Sequence, residues 1–261
     1  MLPHYKKITL LLAILVLGGC SSKKSDEIEP QPTSSSLPKT VKVELIGSKN
    51  PTYYAYTWKG NLLSSYTITT LNTSNNKDFV ETYEFTRNDK NQIKTEKYSY
   101  KGANYADGSQ TYNYVYNTDG SEITDGGRTK WIYNSNGQLA SYDYTTTSIN
   151  SSWSEKFVYD NIGRLTKYQY KSNIEGNYTM SDFTTIENPL YKFTENTQFL
   201  KLTYSGPETH SVFVSKIIPR SFVYKEATSK ITYTLDDQQR VSTITVIASY
   251  GTTLCKFTIG Y

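Results

Sequence analysis

Two cysteines and two histidines are all that these 261 residues offer to thiol or metal chemistry. Cys20 and His4 stand near the N-terminus, which leaves Cys255 and His210 for the body of the chain. One thiol and one imidazole cannot make a four-ligand zinc site. A Ser-His-Asp triad would have to use His210. That residue closes the loop-like Gly206-Pro207-Glu208-Thr209-His210, where a surface histidine is expected. Cys255 alternates with Phe257, Ile259 and Tyr261, which predicts a buried, inert thiol. No glycine-rich phosphate loop is present. Asn117 to Glu122 falls short of a calcium loop, with Glu122 where the sixth-position glycine belongs and Arg128 where the twelfth-position glutamate belongs. Asp236 and Asp237 are adjacent and turn-like, so solvation accounts for them. The expectation is a protein with no cofactor, no metal and no catalytic residues, and so not an enzyme. Basic and acidic residues are interspersed at a formal net charge of +4, which argues against a nucleic-acid surface.

Long apolar runs are also missing, with one exception. Lys6-Lys7 precedes Leu10 to Leu17, eight consecutive apolar residues. About 20 are needed to span a bilayer, so this reads as a signal segment. It ends in Leu17-Gly18-Gly19-Cys20, which looks like a bacterial lipobox. The resemblance implies cleavage before Cys20 and lipidation of its thiol, with the membrane as a partner through that anchor. Residues 20–39 are polar and carry Pro30, Pro32 and Pro38, as a tether would. Ser25-Asp26-Glu27 resembles an acidic surface-export signal, and a plain solvated linker explains it equally well. The expected organisation is a signal peptide at 1–19, a tether at 20–39 and one domain at 40–261. The expected location is the outer membrane, with the cell surface and the periplasmic face both open.

What the chain has in abundance is tyrosine, 25 residues. With plentiful Thr and Ser, this composition suits half-buried strands. Val41 to Ile46 alternates as a first strand, and strands follow at short intervals with Gly, Asn and Asp between them. The clearest hairpin surrounds Tyr159-Asp160-Asn161-Ile162-Gly163-Arg164-Leu165. Asp160 is placed to accept backbone N–H groups ahead of it. Gly163 supplies the left-handed residue of a type I turn with a one-residue bulge, and Leu165 comes opposite Tyr159.

These residues resemble the YD repeat of Rhs-type shell proteins. A near copy runs from Trp131 to Leu139, and looser ones start at Tyr56, Tyr83, Tyr114 and Ile231. Nothing resembles the self-cleaving or toxin parts of those proteins. The whole chain is similar to small Bacteroidetes-type lipoproteins with a domain of unknown function, through Cys20, Asn188-Pro189-Leu190 and Ser215-Lys216-Ile217-Ile218-Pro219. That resemblance carries no activity.

Together these readings predict an all-β fold. A long antiparallel meander of hairpins forms a twisted, curled sheet, a half-barrel or shell, and an irregular segment within 171–228 covers one end. Pro189 would open a helical turn. Phe199, Leu200 and Leu202 would pack against the sheet, and Ser211 to Val214 would be a strand. Simple alternation puts Phe157, Tyr159 and Leu165 on one face and Tyr168 and Tyr170 on the other, with Tyr142 and Tyr144 beside them. Tyr142, Tyr144, Tyr168 and Tyr170 would then form an exposed aromatic platform for a glycan or an envelope protein. The alternative is a glycoside hydrolase-like enzyme with paired carboxylates on a concave face.

Overall fold

The computed structural model describes residues 37–72, 77–102, 106–146, 151–172, 175–197 and 212–261. Cys20, His4, His210, Phe199, Leu200 and Leu202 lie outside them. The described strands are β1 (Thr40–Leu45), β2 (Thr52–Lys59), β3 (Leu62–Asn72), β4 (Lys77–Arg87), β5 (Ile93–Gly102) and β6 (Gly108–Asn113). There follow β7 (Val115–Tyr116), β8 (Glu122–Thr124), β9 (Thr129–Tyr133), β10 (Leu139–Thr146), β11 (Ser151–Tyr159), β12 (Leu165–Lys171) and β13 (Glu175–Glu187). Helix α1 (Pro189–Asn196) precedes β14 (Ile217–Tyr224), β15 (Ala227–Leu235), β16 (Val241–Ile247) and β17 (Thr253–Gly260).

All seventeen strands belong to one sheet. From β1 to β6 and from β7 to β17, each strand pairs antiparallel with the next, and β1 also pairs with β17. Strands β6 and β7 continue in one direction across Tyr114 and share one place in the ring. An all-antiparallel ring closes only with an even number of places, and this sharing provides it. The expected curl is thus a barrel. Its wall is incomplete along β6, which pairs with β5 but with no strand on its other side among the described residues.

Because the strands alternate in direction, alternate turns fall on opposite rims. The start of β1 and the end of β17 meet on one rim, where Thr40 faces Gly260. Five related turns share this terminal rim, beginning at Asn88, Asn117, Asn134, Asp160 and Asp236. In the 160 turn the Asp160 carboxylate accepts the N–H groups of Ile162 and Arg164 at 3.1 and 2.8 Å. Gly163 is left-handed at φ +85°. Gly163→Val is expected to destabilise the protein by more than about 1 kcal/mol in chemical denaturation, because a β-branched residue is strained there.

The residue four places on completes each turn with matching chemistry. Arg164 and Arg240 donate back to Asp160 and Asp236 at 2.6 and 2.7 Å. In two of the turns that begin with Asn the partner is Gln, Asn88 with Gln92 at 2.9 Å and Asn134 with Gln138 at 3.2 Å, and in the third Asn117 donates to Ser121 at 3.1 Å. Burial raises the Asp160 pKa, but the hydrogen bonds from Arg164 and Ile162 outweigh it and hold the carboxyl below its usual range. A depressed carboxylate contributes stability above its unfolded pKa of about 3.9 and loses it as pH falls through the folded value. The double variant Asp160→Asn, Arg164→Gln copies the Asn134–Gln138 turn. It should stay within about 1 kcal/mol of the parent at pH 7. Between pH 5 and 2 its thermal midpoint should fall less steeply than the parent's.

Most of these hairpins carry a second irregularity that simple alternation misses. Tyr159 pairs with Leu165 but Val158 pairs with Lys167, so Thr166 is an extra, bulged residue. Ala140 is extra in the same way between β9 and β10, as are Ser64, Lys94 and Ser242 elsewhere. The bulge reverses the alternation. Leu165 and Tyr168 therefore face the same way, and Phe157 lies opposite Tyr168. This corrects the expected two-faced hairpin: Tyr142, Tyr144, Tyr168 and Tyr170 belong to the inner face.

The inner face holds the core. Leu63, Ile93, Leu139, Leu165 and Val241 form an aliphatic belt just inside the terminal rim, each at most 2% exposed. Helix α1 closes this end. Asn188 caps it, accepting the Leu190 N–H at 3.0 Å, and Pro189 sits in the first turn. Phe193 projects among Tyr56 and Tyr66, both 5.0 Å away between ring centres. Arg87 ties the helix to the wall by donating to Asn196 O and Leu63 O. The segment after β12 is more regular than expected, since β13 runs for 13 residues with Tyr178 and Met180 buried. Val212, Phe213 and Val214 form a helical turn where a strand was expected, and Phe213 packs edge-on against Phe257 at 5.6 Å. Cys255 is buried beside that ring in the sheet.

The outer wall is polar. Lys97, Lys101, Lys156, Lys167, Lys171, Lys230 and Lys256 are exposed on it, with Thr and Ser between them. On the described strands the exposed large apolar side chains are Tyr53, Val115 and Val158, scattered and forming no band. A lipid-facing barrel needs an apolar outer band about 25 Å tall, and each lysine at its midplane would cost roughly 2–4 kcal/mol. This barrel has the opposite polarity, with rings inside and charges outside.

Candidate ligand site in the barrel mouth

The inner rings are arranged as ladders running across the strands. Tyr66 stacks on Tyr83 at 4.5 Å and 7°, and Tyr83 lies 5.0 Å from Tyr98, which lies 5.7 Å from Tyr100. A second ladder passes from Phe157 to Tyr168 at 5.2 Å, Tyr178 at 5.8 Å and Tyr224 at 4.6 Å. Such contacts contribute about 0.5–1.5 kcal/mol each beyond area burial.

Burial is uneven around the inner face. The aliphatic belt is buried, while Trp58, Phe85, Tyr116, Tyr133 and Tyr159 near the terminal rim are half-buried. Toward the far rim Tyr98, Tyr100, Tyr112, Tyr142, Tyr144, Trp153 and Tyr170 are half-buried, though they face inward. Two of these rings lie over cross-strand glycines. A Cβ at Gly108 would overlap the Tyr100 ring, and one at Gly176 would overlap the Tyr170 ring. Glycine at those two positions lets the ring settle against the wall.

Of the four tyrosines expected in an exposed platform, Tyr168 is fully buried and structural. Tyr142, Tyr144 and Tyr170 remain partly accessible, on the lumen side and not on the outside. Sequence reasoning missed Tyr98, Tyr100 and Trp153 as members of this mouth. The signal was present in Tyr98 and Tyr100 two apart, but nothing local shows which wall segments share the open end.

Carboxylates accompany the rings. Tyr114 donates to Glu96 at 3.0 Å, and Tyr83 and Tyr98 both donate to Glu81 Oε1, at 3.2 and 2.8 Å. Burial, and then the Glu81 carboxylate, push the Tyr83 and Tyr98 hydroxyls well above the usual phenol range, so both remain donors at neutral pH. Glu155 is buried beside Tyr168. Glu81 pairs across the sheet with Tyr100, and Glu96 with Phe85. That register spaces their Cα atoms about 14 Å apart along the wall. Among the described residues no cluster of three or more His, Cys, Asp or Glu could hold a metal ion.

No family model matches the chain, and no curated protein matches it in sequence. Among solved structures, a porin-like protein from Bacteroides uniformis is similar over 88% of this chain and 99% of that one, at 16% identity and a TM-score of 0.44.

Proposed function

We propose that this chain is a lipid-anchored, non-enzymatic binding module of the bacterial outer envelope, which takes its ligand into the aromatic mouth of a water-exposed barrel. The observation that carries the reading is the inverted polarity, with rings half-open to the lumen at one end and lysines covering the wall. A wall of that kind suits a body held beside a membrane by a tether, and Leu17-Gly18-Gly19-Cys20 supplies the anchor. Tyrosine and tryptophan rings suit a sugar face or an apolar group, since each offers a flat apolar surface and a polar tip. The indole N–H groups of Trp131 and Trp153 are buried without an acceptor among the described residues.

Two variants test the reading. Cys20→Ala should lose incorporation of a fatty-acid probe and leave the membrane fraction. Tyr142→Ala with Tyr144→Ala should weaken binding of hits from a glycan and small-molecule screen at least about tenfold, an effect of the size expected from losing buried aromatic anchors. Unchanged labelling of the first variant would refute the anchor. Unchanged affinity of the second would refute the site.

A further inference from the structure

The mouth contains one carboxylate placed differently from the others. Glu96 and Glu155 are buried, at 0% and 1% exposure. Glu81 is half-buried, nearer the far rim, and belongs to the ladder of Tyr66, Tyr83, Tyr98 and Tyr100. Both tyrosine hydroxyls that reach it donate to the same oxygen, Oε1. Its Oε2 has no partner among the described residues. Among the described side chains the surrounding charge is one-sided. Among the described side chains of β3–β6 and β9–β12 that face the lumen, the charged groups are Glu81, Glu96, Glu155 and Arg87. Arg87 stands at the terminal rim, committed to the carbonyls of Leu63, Asn91 and Asn196. The lysines of these strands whose side chains are described point outward, into water.

We infer that the mouth selects a ligand bearing an ammonium group, held over the Tyr83–Tyr98–Tyr100 rings and against Glu81 Oε2. A ring face attracts a cation through its quadrupole, and the attraction strengthens as water is excluded. A carboxylate fixed by two phenol donors adds a preorganised negative charge with little side-chain entropy left to lose. The two features favour the same ligand, because an anion would meet Glu81 and a neutral ring would leave its Oε2 desolvated without a donor. The chemical class is therefore a primary or quaternary amine carried on an apolar or sugar-like body. This inference rests on the mouth being the ligand site.

Choline and its neutral isostere 3,3-dimethyl-1-butanol separate charge from shape. They are titrated into the full chain in detergent micelles, with calorimetry and tyrosine fluorescence as readouts, alongside a mixture of neutral oligosaccharides. Choline should bind at least about tenfold more tightly than the isostere. Glu81→Gln should remove most of that preference while moving the thermal midpoint little, and Tyr98→Phe should reduce it. Equal binding of choline and the isostere, or a Glu81→Gln variant with its preference intact, overturns the inference. If oligosaccharides bind in a Tyr142- and Tyr144-dependent manner while choline does not, the cation inference fails and the mouth stands as the ligand site. If neither class binds or perturbs the fluorescence, both fail. Should Glu81→Gln not fold, the comparison of choline with its isostere on the unaltered chain still decides.

Discussion

Tyr168→Ala is expected to cost about 3–5 kcal/mol of unfolding free energy, the range for removing a buried aromatic ring. The ring is fully buried, lies 5.2 Å from Phe157 and 5.8 Å from Tyr178, and contacts the buried Glu155. Truncation would open a cavity in a ladder and leave that carboxylate without its phenol. The adjacent Lys167→Ala and Gln169→Ala should each stay within about 0.5 kcal/mol, because both side chains are exposed on the outer wall. The contrast between neighbours tests the bulge at Thr166. In an unbulged hairpin, Tyr168 would be the cheap position. Urea denaturation of the three single variants, with the midpoint and slope both measured, gives the comparison.

Phe193→Ala is expected to cost a similar amount, about 3–5 kcal/mol, for a different reason. Phe193 is 1% exposed and is where the plugging helix meets both the wall and the 212–214 turn, with Phe213 at 6.2 Å. Helix α1 spans eight residues, too short to persist by its own backbone bonds, so it depends on this docking. The loss should therefore extend beyond the cavity. Hydrogen exchange should speed up at Leu190 through Asn196 and at Leu63, whose N–H is held by the Asn196 side chain at 3.1 Å. Unchanged protection at Leu63 in this variant would mean that the helix does not brace the wall.

The two variants also show what could be read from the chain. The turn at 160 was legible because its chemistry is local. An acidic acceptor and a left-handed glycine lie within four residues, and the structure has both as expected. The hydrogen bond from Arg164 back to Asp160 adds to that reading. The start of α1 was legible for the same reason, through Asn188 and Pro189. Cys255 shares its apolar face with Phe257 and Ile259 and is buried. The bulges were not legible. Thr166, Ala140 and Lys94 have no common chemistry, and each is extra only because the partner strand fixes the register. One extra residue reverses a face, so the tyrosine pairs were placed on the wrong side of the wall. Val212-Phe213-Val214 has strand-forming composition and becomes helical, as happens when packing against rings such as Phe257 outweighs a weak local preference. Strand β13 was obscured because its inward row is broken by Gly176, a position set by Tyr170 on the neighbouring strand.

A wall of lysines, serines and threonines should face water, with the rings facing the lumen. Spin labels on cysteine variants in which Cys255 is replaced by serine, measured in the presence of lipid vesicles, test it most directly. Labels at Lys97, Lys156, Lys167 and Lys256 should collide readily with a water-soluble nickel complex and weakly with oxygen dissolved in the bilayer. A label at Tyr168, if the variant folds, should be shielded from both. If the four wall positions are instead shielded from nickel and exposed to oxygen, the wall lies in lipid, and the account given for this barrel is contradicted.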